Sequence, residues 1–191
     1  MNINYIKEIN ESRVYDVAIR TPISLLNKMS LQYGNEIYLK REDLQPIFSF
    51  KCRGAYNKIS NLSHEERASG IIAASAGNHA QGVALSASKL NIKATIVMPT
   101  TTPSIKIQSV RKFGVKVELI GDSFDEAYEY ALEVSQNEGK VFIHPFDDPL
   151  VIAGQGTVAK EIVEEFKNEP DIFFIPVGGG VLISGMSLYL K

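Results

Sequence analysis

The sequence has few of the features that mark a secreted, membrane-bound or nucleic-acid-binding protein. Cys52 is the one cysteine among 191 residues, which excludes an intrachain disulfide. The amino terminus is charged and has no apolar core of signal-peptide length, and no run approaches the length of a membrane span. Twenty Lys and Arg against 22 Asp and Glu leave a net charge of −2. We therefore expect a cytoplasmic protein with a small-molecule ligand and neither a nucleic-acid nor a membrane partner.

Short apolar runs alternate with stretches of helical spacing from about residue 70 onward. The runs are apolar on both faces and rich in β-branched or aromatic residues, which is typical of parallel strands covered by helices. They are Ile71–Ala74, Ala94–Met98, Lys116–Ile120, Val141–His144 and Ile172–Val177. The stretches between them repeat apolar residues every three to four positions, as in Ala80, Val83, Ala84, Ala87 and Leu90 and in Phe124, Ala127, Ala131 and Val134. The alternation predicts an α/β fold.

One helix start and the end of the sequence carry further predictions. Ser123 followed by Glu126 has the form of a capping box. Residues 172–177 are followed by a glycine turn and by residues 184–191, which would form roughly two helical turns. A crossover helix in a parallel sheet leads to another strand, and no such strand follows here. We therefore expect a shortened form of a longer domain.

The first candidate site is a lysine near the start of a predicted helix. Lys51 lies in the segment SFKCRGA, residues 49–55, just after the extended stretch Ile37–Lys40. A lysine can form an imine with a carbonyl cofactor once its amine has lost its proton, and burial at a helix start favours that loss. The alternative is an ordinary solvated lysine.

The second and third candidates are turns between a strand and a helix, where unpaired backbone N–H groups can bind an anion. One turn is SAGNHA, residues 75–80, in which Asn78 offers an amide to a ring oxygen. The other is GGGVL, residues 178–182, whose three glycines let N–H groups converge on a phosphate. The alternatives are turn and capping roles for Ser75 and Asn78, and a merely flexible turn for the glycines.

Two other kinds of site are disfavoured. The segment GQGTVA, residues 154–159, fits the dinucleotide pattern G-x-G-x-x-A, but no clear strand precedes it. We expect it to be a helix start packed closely against the sheet, and a nicotinamide-binding domain remains the alternative. His64, His79 and His144 are too scattered to form a spaced ligand set, so no metal site is predicted.

The motifs taken together, in their order along the chain, resemble a known enzyme family. They are YLKREDLQP at 38–46, SFK at 49–51, ASAGNHAQG at 74–82 and the triple glycine at 178–180. This set resembles the fold-type-II pyridoxal-phosphate enzymes, which share a tryptophan synthase β-like fold, and is most similar to the biosynthetic threonine dehydratases (threonine ammonia-lyases). The resemblance includes RVYDV at 13–17 and HPFDDP at 144–149, and corresponds to the amino-terminal portion of the family.

The resemblance implies a role for each candidate residue. Lys51 would be the catalytic residue that bonds covalently to pyridoxal 5′-phosphate, and Phe50 would pack near the cofactor ring. Asn78 would bind the ring hydroxyl oxygen. The substrate carboxylate would bind at Ser75, Ala76, Gly77, Asn78 and His79. The cofactor phosphate would bind at Gly178, Gly179, Gly180, Val181 and Leu182.

The resemblance also implies an architecture. Residues 1–42 and 148–191 would belong to an incomplete large domain, and residues 43–147 to a small inserted α/β domain. Both would have parallel sheets with helices on both faces, and the cofactor would lie in the cleft between them. Family members generally form homo-oligomers.

The reaction that the resemblance implies is a carbon–nitrogen lyase reaction. L-Threonine would displace Lys51 from the cofactor, and the freed amine would remove the Cα proton. Loss of the β-hydroxyl and hydrolysis of the enamine would give 2-oxobutanoate and ammonia, the first step of isoleucine biosynthesis. The alternatives are a dehydratase of broader specificity for L-serine and L-threonine, or a non-catalytic remnant.

Ala76 and two departures from the family bear on these expectations. Ala76 stands where related serine racemases place a serine base, so racemisation is disfavoured. Val181 stands where the family usually has a fourth glycine, and a β-branched residue resists positive φ. We therefore predict weakened phosphate binding if the turn needs positive φ there. The later half of the large domain, with the family's ligand for the pyridine nitrogen, and the regulatory modules are expected to lie outside this sequence.

Overall fold

The structure, a computed structural model, describes residues 3–166 and 170–191. Its helices and strands are, in chain order, α1 (Tyr5–Asn10), β1 (Ile23–Leu25), α2 (Asn27–Tyr33), β2 (Tyr38–Lys40), α3 (Lys51–Ser60), α4 (His64–Ser69), β3 (Ile71–Ala74), α5 (Asn78–Leu90), β4 (Ala94–Met98), α6 (Ser104–Arg111), β5 (Lys116–Leu119), α7 (Phe124–Glu138), β6 (Val141–Phe142), α8 (Pro149–Glu165) and α9 (Val181–Tyr189). No helix within the two described stretches combines the length and hydropathy that crossing a bilayer requires.

The central sheet has four parallel strands in the order β5-β4-β3-β6, which confirms the α/β prediction. All four residues of β3 are buried because helices cover both faces of the sheet. Ile71 and Ala73 pack into the cluster that contains α5, whereas Ile72 and Ala74 pack into the cluster that contains α7. The alternation of side chains along one strand therefore joins two apolar layers.

A second, smaller sheet adds an antiparallel pair that the sequence analysis did not predict. Strands β1 and β2 form this pair, with Ile23 opposite Lys40 and Leu25 opposite Tyr38. Short antiparallel strands pair through a brief connection, here containing α2, whereas a parallel pair needs a longer crossover.

The predicted strand at Ile172–Val177 is also wrong. Among residues 3–166 and 170–191, no strand pairs with this segment, and a strand exists only where a neighbour completes its ladder of hydrogen bonds. One side of the segment is nonetheless anchored, because Phe173 and Ile175 pack against the cluster formed by α8 and α9. Phe174, on the other side, is 94% exposed.

The helix caps agree with the sequence only in part. Ser123 accepts a hydrogen bond from the Glu126 N–H at 3.2 Å, as predicted. The Glu126 carboxylate instead accepts from the Asp122 N–H at 2.6 Å, so the reciprocal half of the box is formed one residue earlier. A complete capping box stands at the start of α4, between Ser63 and Glu66, where the sequence analysis had not placed one.

Helix α3 lies against α5 and α8 at positions where glycine permits backbone contact. A Cβ added to Gly154 would lie 2.6 Å from the Gly54 Cα, and one added to Gly82 would lie 2.8 Å from the Lys51 carbonyl oxygen. Residues 154–159 thus lie inside α8 and pack against α3, not at a helix start against the sheet. Because interior N–H groups of a helix are already bonded, the dinucleotide interpretation is wrong.

Candidate active site

The side chain of Lys51 is held at the first residue of α3. Its Nζ donates a hydrogen bond to the carbonyl oxygen of Pro145 at 2.8 Å and lies 5.8 Å from the centre of the Phe50 ring. The side chain is half-buried, and burial lowers the pKa of the Lys51 amine to about 8. A larger share of this amine is therefore neutral near physiological pH than of a solvated lysine.

The turn at residues 75–79 joins β3 to α5, as the sequence predicted. Ser75 Oγ accepts from the Gly77 N–H at 3.2 Å, and Gly77 precedes the helix without a side-chain cap. Helix α5 begins at Asn78, whose side chain is exposed. Because the first N–H groups of a helix have no partner within it, this turn presents backbone donors for an anion.

His79 has its ring directed into the fold. Its Nε2 lies 2.9 Å from the carbonyl oxygen of Ile143, and its Nδ1 is buried without a hydrogen-bond partner among the described residues. Burial lowers the pKa of His79 to about 4, so the ring is neutral at pH 7. Nε2 therefore carries the proton and donates a hydrogen bond to the carbonyl oxygen of Ile143, so the ring anchors the chain just after β6.

The glycine turn leads directly into α9. Gly180 adopts φ 83° before the helix and no side chain caps it, while Val181 is the first helical residue. Val181 and Leu182 are buried, so their side chains fix the start of α9 in the core. The positive φ thus falls on Gly180 and not on Val181, so the condition on which the predicted weakening of phosphate binding depends is not met.

The segment from Ile143 to Asp147 brings the lysine and the glycine turn together. The Pro145 carbonyl holds the Lys51 amine. The next residue, Phe146, packs so closely on the turn that a Cβ added to Gly179 would lie 2.7 Å from its ring. The Lys51 amine and the candidate phosphate-binding turn therefore contact two adjacent residues, Pro145 and Phe146. Lys51 and Gly178 themselves are 127 positions apart in the sequence.

No sequence pattern predicted a role for the residues of this segment. The stretch HPFDDP carries only a resemblance to the family, which implies no role for His144 or Pro145. The role of Pro145 is carried by a backbone carbonyl, which no side-chain pattern reveals. For His144 the available signal was its place at the carboxyl end of a predicted strand, the edge where ligands bind in α/β folds.

The residues present suit a carbonyl cofactor that carries a phosphate. A half-buried amine with a lowered pKa can form an imine, and two uncapped helix starts supply donors for two anions. A Cβ added to Gly178 would meet no heavy atom within 4 Å, so the turn is open at this residue. No group of three potential metal ligands occurs in the part of the chain that the structure describes.

An α/β fold with a half-buried lysine amine and two helix starts that offer backbone donors is typical of enzymes that act through a lysine-bound carbonyl cofactor. Residues 14–191 match the family described as pyridoxal-phosphate dependent enzyme, and the chain belongs to that family. The family, as its description states, depends on pyridoxal phosphate.

The chain is similar to several characterised proteins. It is 54% identical over 187 residues to the biosynthetic, chloroplastic threonine dehydratase 1 of Solanum lycopersicum, covering 98% of this chain and 31% of that protein. The structure of the processed form of threonine deaminase isoform 2 from the same plant aligns with a TM-score of 0.93 and 56% identity, covering 98% of this chain and 51% of that one. Maize serine racemase aligns with a TM-score of 0.92 and 34% identity, covering 98% of this chain and 56% of that one. The fold-type-II architecture is thereby confirmed, and the chain spans about a third of the curated relatives' length.

Proposed function

We propose that this chain carries the lysine-bearing part of a threonine ammonia-lyase, which converts L-threonine to 2-oxobutanoate and ammonia. The observation that carries the proposal is the half-buried Lys51 amine, hydrogen-bonded to the Pro145 carbonyl at 2.8 Å beside the glycine turn. The similarity to threonine dehydratase 1 and to threonine deaminase isoform 2 of Solanum lycopersicum supports this choice of substrate.

Lys51 would act both as the covalent attachment point and as the base that takes the Cα proton. Bound pyridoxal phosphate supplies an electron sink for the charge left on the substrate carbon. The amine must be neutral for either role, and its pKa of about 8 makes that possible near neutral pH. Phe50, whose ring centre lies 5.8 Å from the amine, would limit access of water from its side.

Each of the two turns would take one anion. The first N–H groups of α9, with Gly178, Gly179 and Gly180, would bind the cofactor phosphate. Those of α5, after Ser75, Ala76 and Gly77, would bind the substrate carboxylate, and Asn78 would donate to the ring oxygen of the cofactor. The exposed Asn78 side chain is free to turn toward such a ligand.

Ala76 supports elimination over racemisation. A methyl group holds no exchangeable proton, so it cannot reprotonate the substrate carbon from the face opposite Lys51. We therefore assign the chain to the dehydratases, although maize serine racemase shares its fold. L-Serine, which lacks one methyl group, would be a slower substrate. A non-catalytic remnant is the competing proposal.

The wider setting is proposed on the same basis. The word "biosynthetic" in the relatives' names supports a place at the first step of isoleucine synthesis. We propose a cytoplasmic homo-oligomer for the protein, while noting that those plant relatives are named as chloroplastic. We also propose the division into residues 1–42, 43–147 and 148–191, of which residues 1–2 and 167–169 lie outside the described chain.

The test is a visible absorbance spectrum with pyridoxal phosphate, taken before and after borohydride reduction. Wild type should gain a band that borohydride removes while fixing the cofactor to Lys51, as mass spectrometry of the peptide would show. Lys51→Ala should lose the band. Lys89→Ala, which removes an exposed lysine in the last turn of α5, is the matched control and should keep it.

Release of 2-oxobutanoate from L-threonine then tests the reaction itself, with pyruvate from L-serine as the measure of specificity. A cofactor fixed at another lysine would contradict the site. A covalent adduct at Lys51 without release of either keto acid would favour the non-catalytic remnant.

A further inference from the structure

One peptide unit separates the Lys51 amine from an imidazole ring. The carbonyl oxygen of Pro145 accepts from Lys51 Nζ at 2.8 Å, and the N–H of Phe146 donates to His144 Nδ1 at 3.3 Å. That carbonyl and that N–H belong to the same planar peptide, which is trans, so they point in opposite directions. Whatever fixes the direction of the N–H therefore also fixes the direction of the carbonyl that holds Lys51.

His144 receives a second backbone donor at the same ring nitrogen. The Asp147 N–H lies 2.8 Å from Nδ1. Two N–H donors require a lone pair, so Nδ1 is unprotonated and the neutral ring carries its proton on Nε2. Nε2 lies 3.2 Å from the Tyr128 hydroxyl, whose oxygen accepts a hydrogen bond from the Nε2–H group.

The ring of His144 is itself held from several sides. It packs edgewise against Phe146, with ring centres 4.7 Å apart, and against Phe142 and Tyr128 at 6.1 and 6.2 Å. Tyr128 belongs to α7 and Phe142 to β6, so the ring is fixed by the body of the fold. A fixed ring can fix the turn that bonds to it.

The chain on either side of this turn is anchored by other groups. Upstream, His79 holds the Ile143 carbonyl at 2.9 Å. Downstream, the Asp148 carboxylate caps α8 by accepting from the Leu150 N–H at 2.8 Å. Proline has a fixed φ and no N–H, so the carbonyl direction of Pro145 depends on its ψ angle. The hydrogen bond from the Phe146 N–H to His144 Nδ1 acts directly on this peptide, and the bond from the Asp147 N–H to the same nitrogen holds the peptide that follows.

We propose that His144 is a positioning residue for Lys51, because the lone pair on its Nδ1 orients the Pro145 carbonyl that holds the amine. The proposal rests on the proposed function, in which this amine attacks the cofactor aldehyde. A lysine held in one place reacts faster with a cofactor bound beside it than one that samples several rotamers, since its side-chain entropy has already been lost. With a reagent that arrives from solution the same lysine reacts more slowly, because its hydrogen bond to the Pro145 carbonyl must first break.

Two substitutions of His144 distinguish the effect of the Nδ1 lone pair from the effect of ring packing. His144→Asn keeps an acceptor near the Nδ1 position, because an Asn oxygen can accept from N–H groups two and three residues ahead, but it loses the ring. His144→Phe keeps a ring among Phe142, Phe146 and Tyr128 but has no acceptor. Tyr128→Phe removes only the partner of Nε2.

The first measurement uses the cofactor-free chain. Lysines are labelled competitively with trace acetic anhydride, and peptide mass spectrometry gives the rate at Lys51 relative to the exposed Lys93. We expect Lys51 to be acetylated at the same low relative rate in wild type, His144→Asn and Tyr128→Phe. In His144→Phe that rate should rise by about fivefold, which corresponds to the loss of one hydrogen bond. The second measurement is the rate of covalent capture of pyridoxal phosphate, which should fall about fivefold to tenfold in His144→Phe alone.

Equal behaviour of the Asn and Phe variants would overturn the proposal, and a loss in Asn but not in Phe would assign the effect to ring packing instead. Thermal unfolding shows whether His144→Phe folds; if it does not, His144→Gln replaces it, because its amide reaches the Nε2 position and leaves the two N–H groups without an acceptor. Failure of wild type to capture the cofactor would contradict the proposed function, whereas the labelling comparison would still decide the role of His144.

Discussion

The guanidinium of Arg53 and the carboxylate of Glu161 form an ion pair in the interior, 2.6 Å apart, with both side chains 0% exposed. Arg53 also donates to Glu42 at 2.8 Å, and Lys40 pairs with Glu161 at 2.8 Å. Burial opposes ionisation of Glu161, but hydrogen bonds and charges from Arg53 and Lys40 outweigh it and hold the pKa of that carboxyl below its usual range. Arg53 and Lys40 thus offset the charges of Glu42 and Glu161, and the Lys40 amine also lies 3.5 Å from Glu165. The Arg53–Glu161 pair joins α3 to α8 two residues beyond Lys51.

Removing Arg53 should therefore destabilise the fold strongly. We expect Arg53→Met to lower the free energy of unfolding by about 3–5 kcal/mol, because it leaves Glu161 buried beside fewer positive charges. Urea titration followed by circular dichroism measures the loss. Arg20→Ala is the control, since Arg20 pairs with Glu164 of the same helix but the two side chains are 50% and 38% exposed. That variant should lose less than about 1 kcal/mol, and equal losses would contradict the argument.

The neutral ring of His79 predicts a dependence of stability on pH. Its pKa in the fold is about 4, below the usual value near 6.5, so the unfolded chain binds more protons between these two values. The stability that this ring contributes is present above pH 6.5 and is lost as the pH falls to 4, by roughly 3 kcal/mol.

The measurement is the free energy of unfolding at several pH values, compared with that of His79→Gln. This variant keeps a donor for the Ile143 carbonyl but does not titrate. Its profile should be flatter than that of wild type over this range, and parallel profiles would show that His79 is not the titrating group.

The lowered pKa of Lys51 predicts how fast it captures an aldehyde at each pH. Because only the neutral amine is a nucleophile, the rate of covalent capture of pyridoxal phosphate should rise with pH and level off above about pH 8. A lysine in a model peptide would level off only near pH ~10.4. Stopped-flow absorbance between pH 6 and 10.5, with Lys51→Ala to subtract capture by other lysines, gives the profile. A rate that is still rising at pH 10 would contradict the burial of this amine.

Alanine substitutions at two glycines should affect different properties, one the stability of the fold and the other the affinity for the cofactor. In Gly154→Ala the new Cβ would lie 2.6 Å from the Gly54 Cα, so α3 and α8 must move apart. We expect a loss of about 1–3 kcal/mol in the free energy of unfolding, the usual cost of overpacking. Gly178→Ala meets no heavy atom within 4 Å, so its stability should stay within about 0.5 kcal/mol of wild type while its affinity for pyridoxal phosphate falls. Thermal unfolding and cofactor titration of both variants test this contrast.

The sequence predicted well those features that depend on near neighbours. Strands β3 and β4 begin and end where the apolar runs do, because a strand covered on both faces needs mostly apolar residues. The segment at 172–177 has the same composition and yet is not a strand, because a ladder requires a partner from elsewhere in the chain.

The glycines also differ in whether near neighbours or distant residues determine their role. The triple glycine was assigned correctly to a turn before a helix, since its conformation is set within five residues. The position of Gly154 was predicted wrongly. A glycine is required there because the residue contacts Gly54, which is 100 positions away in the sequence. A pattern within six residues cannot distinguish a glycine that binds a phosphate from one that admits another helix.

The sequence by itself determined the alternation of strands and helices, the lysine at a helix start and the two turns that offer backbone donors. These follow from periodicity and from the conformations that each residue type allows. Only the tertiary structure decided that the Lys51 amine rests on the Pro145 carbonyl, that Phe146 lies on Gly179 and that Arg53 meets Glu161. Those contacts join residues that are distant in sequence, and they depend on how the packed layers bring backbone and charge together.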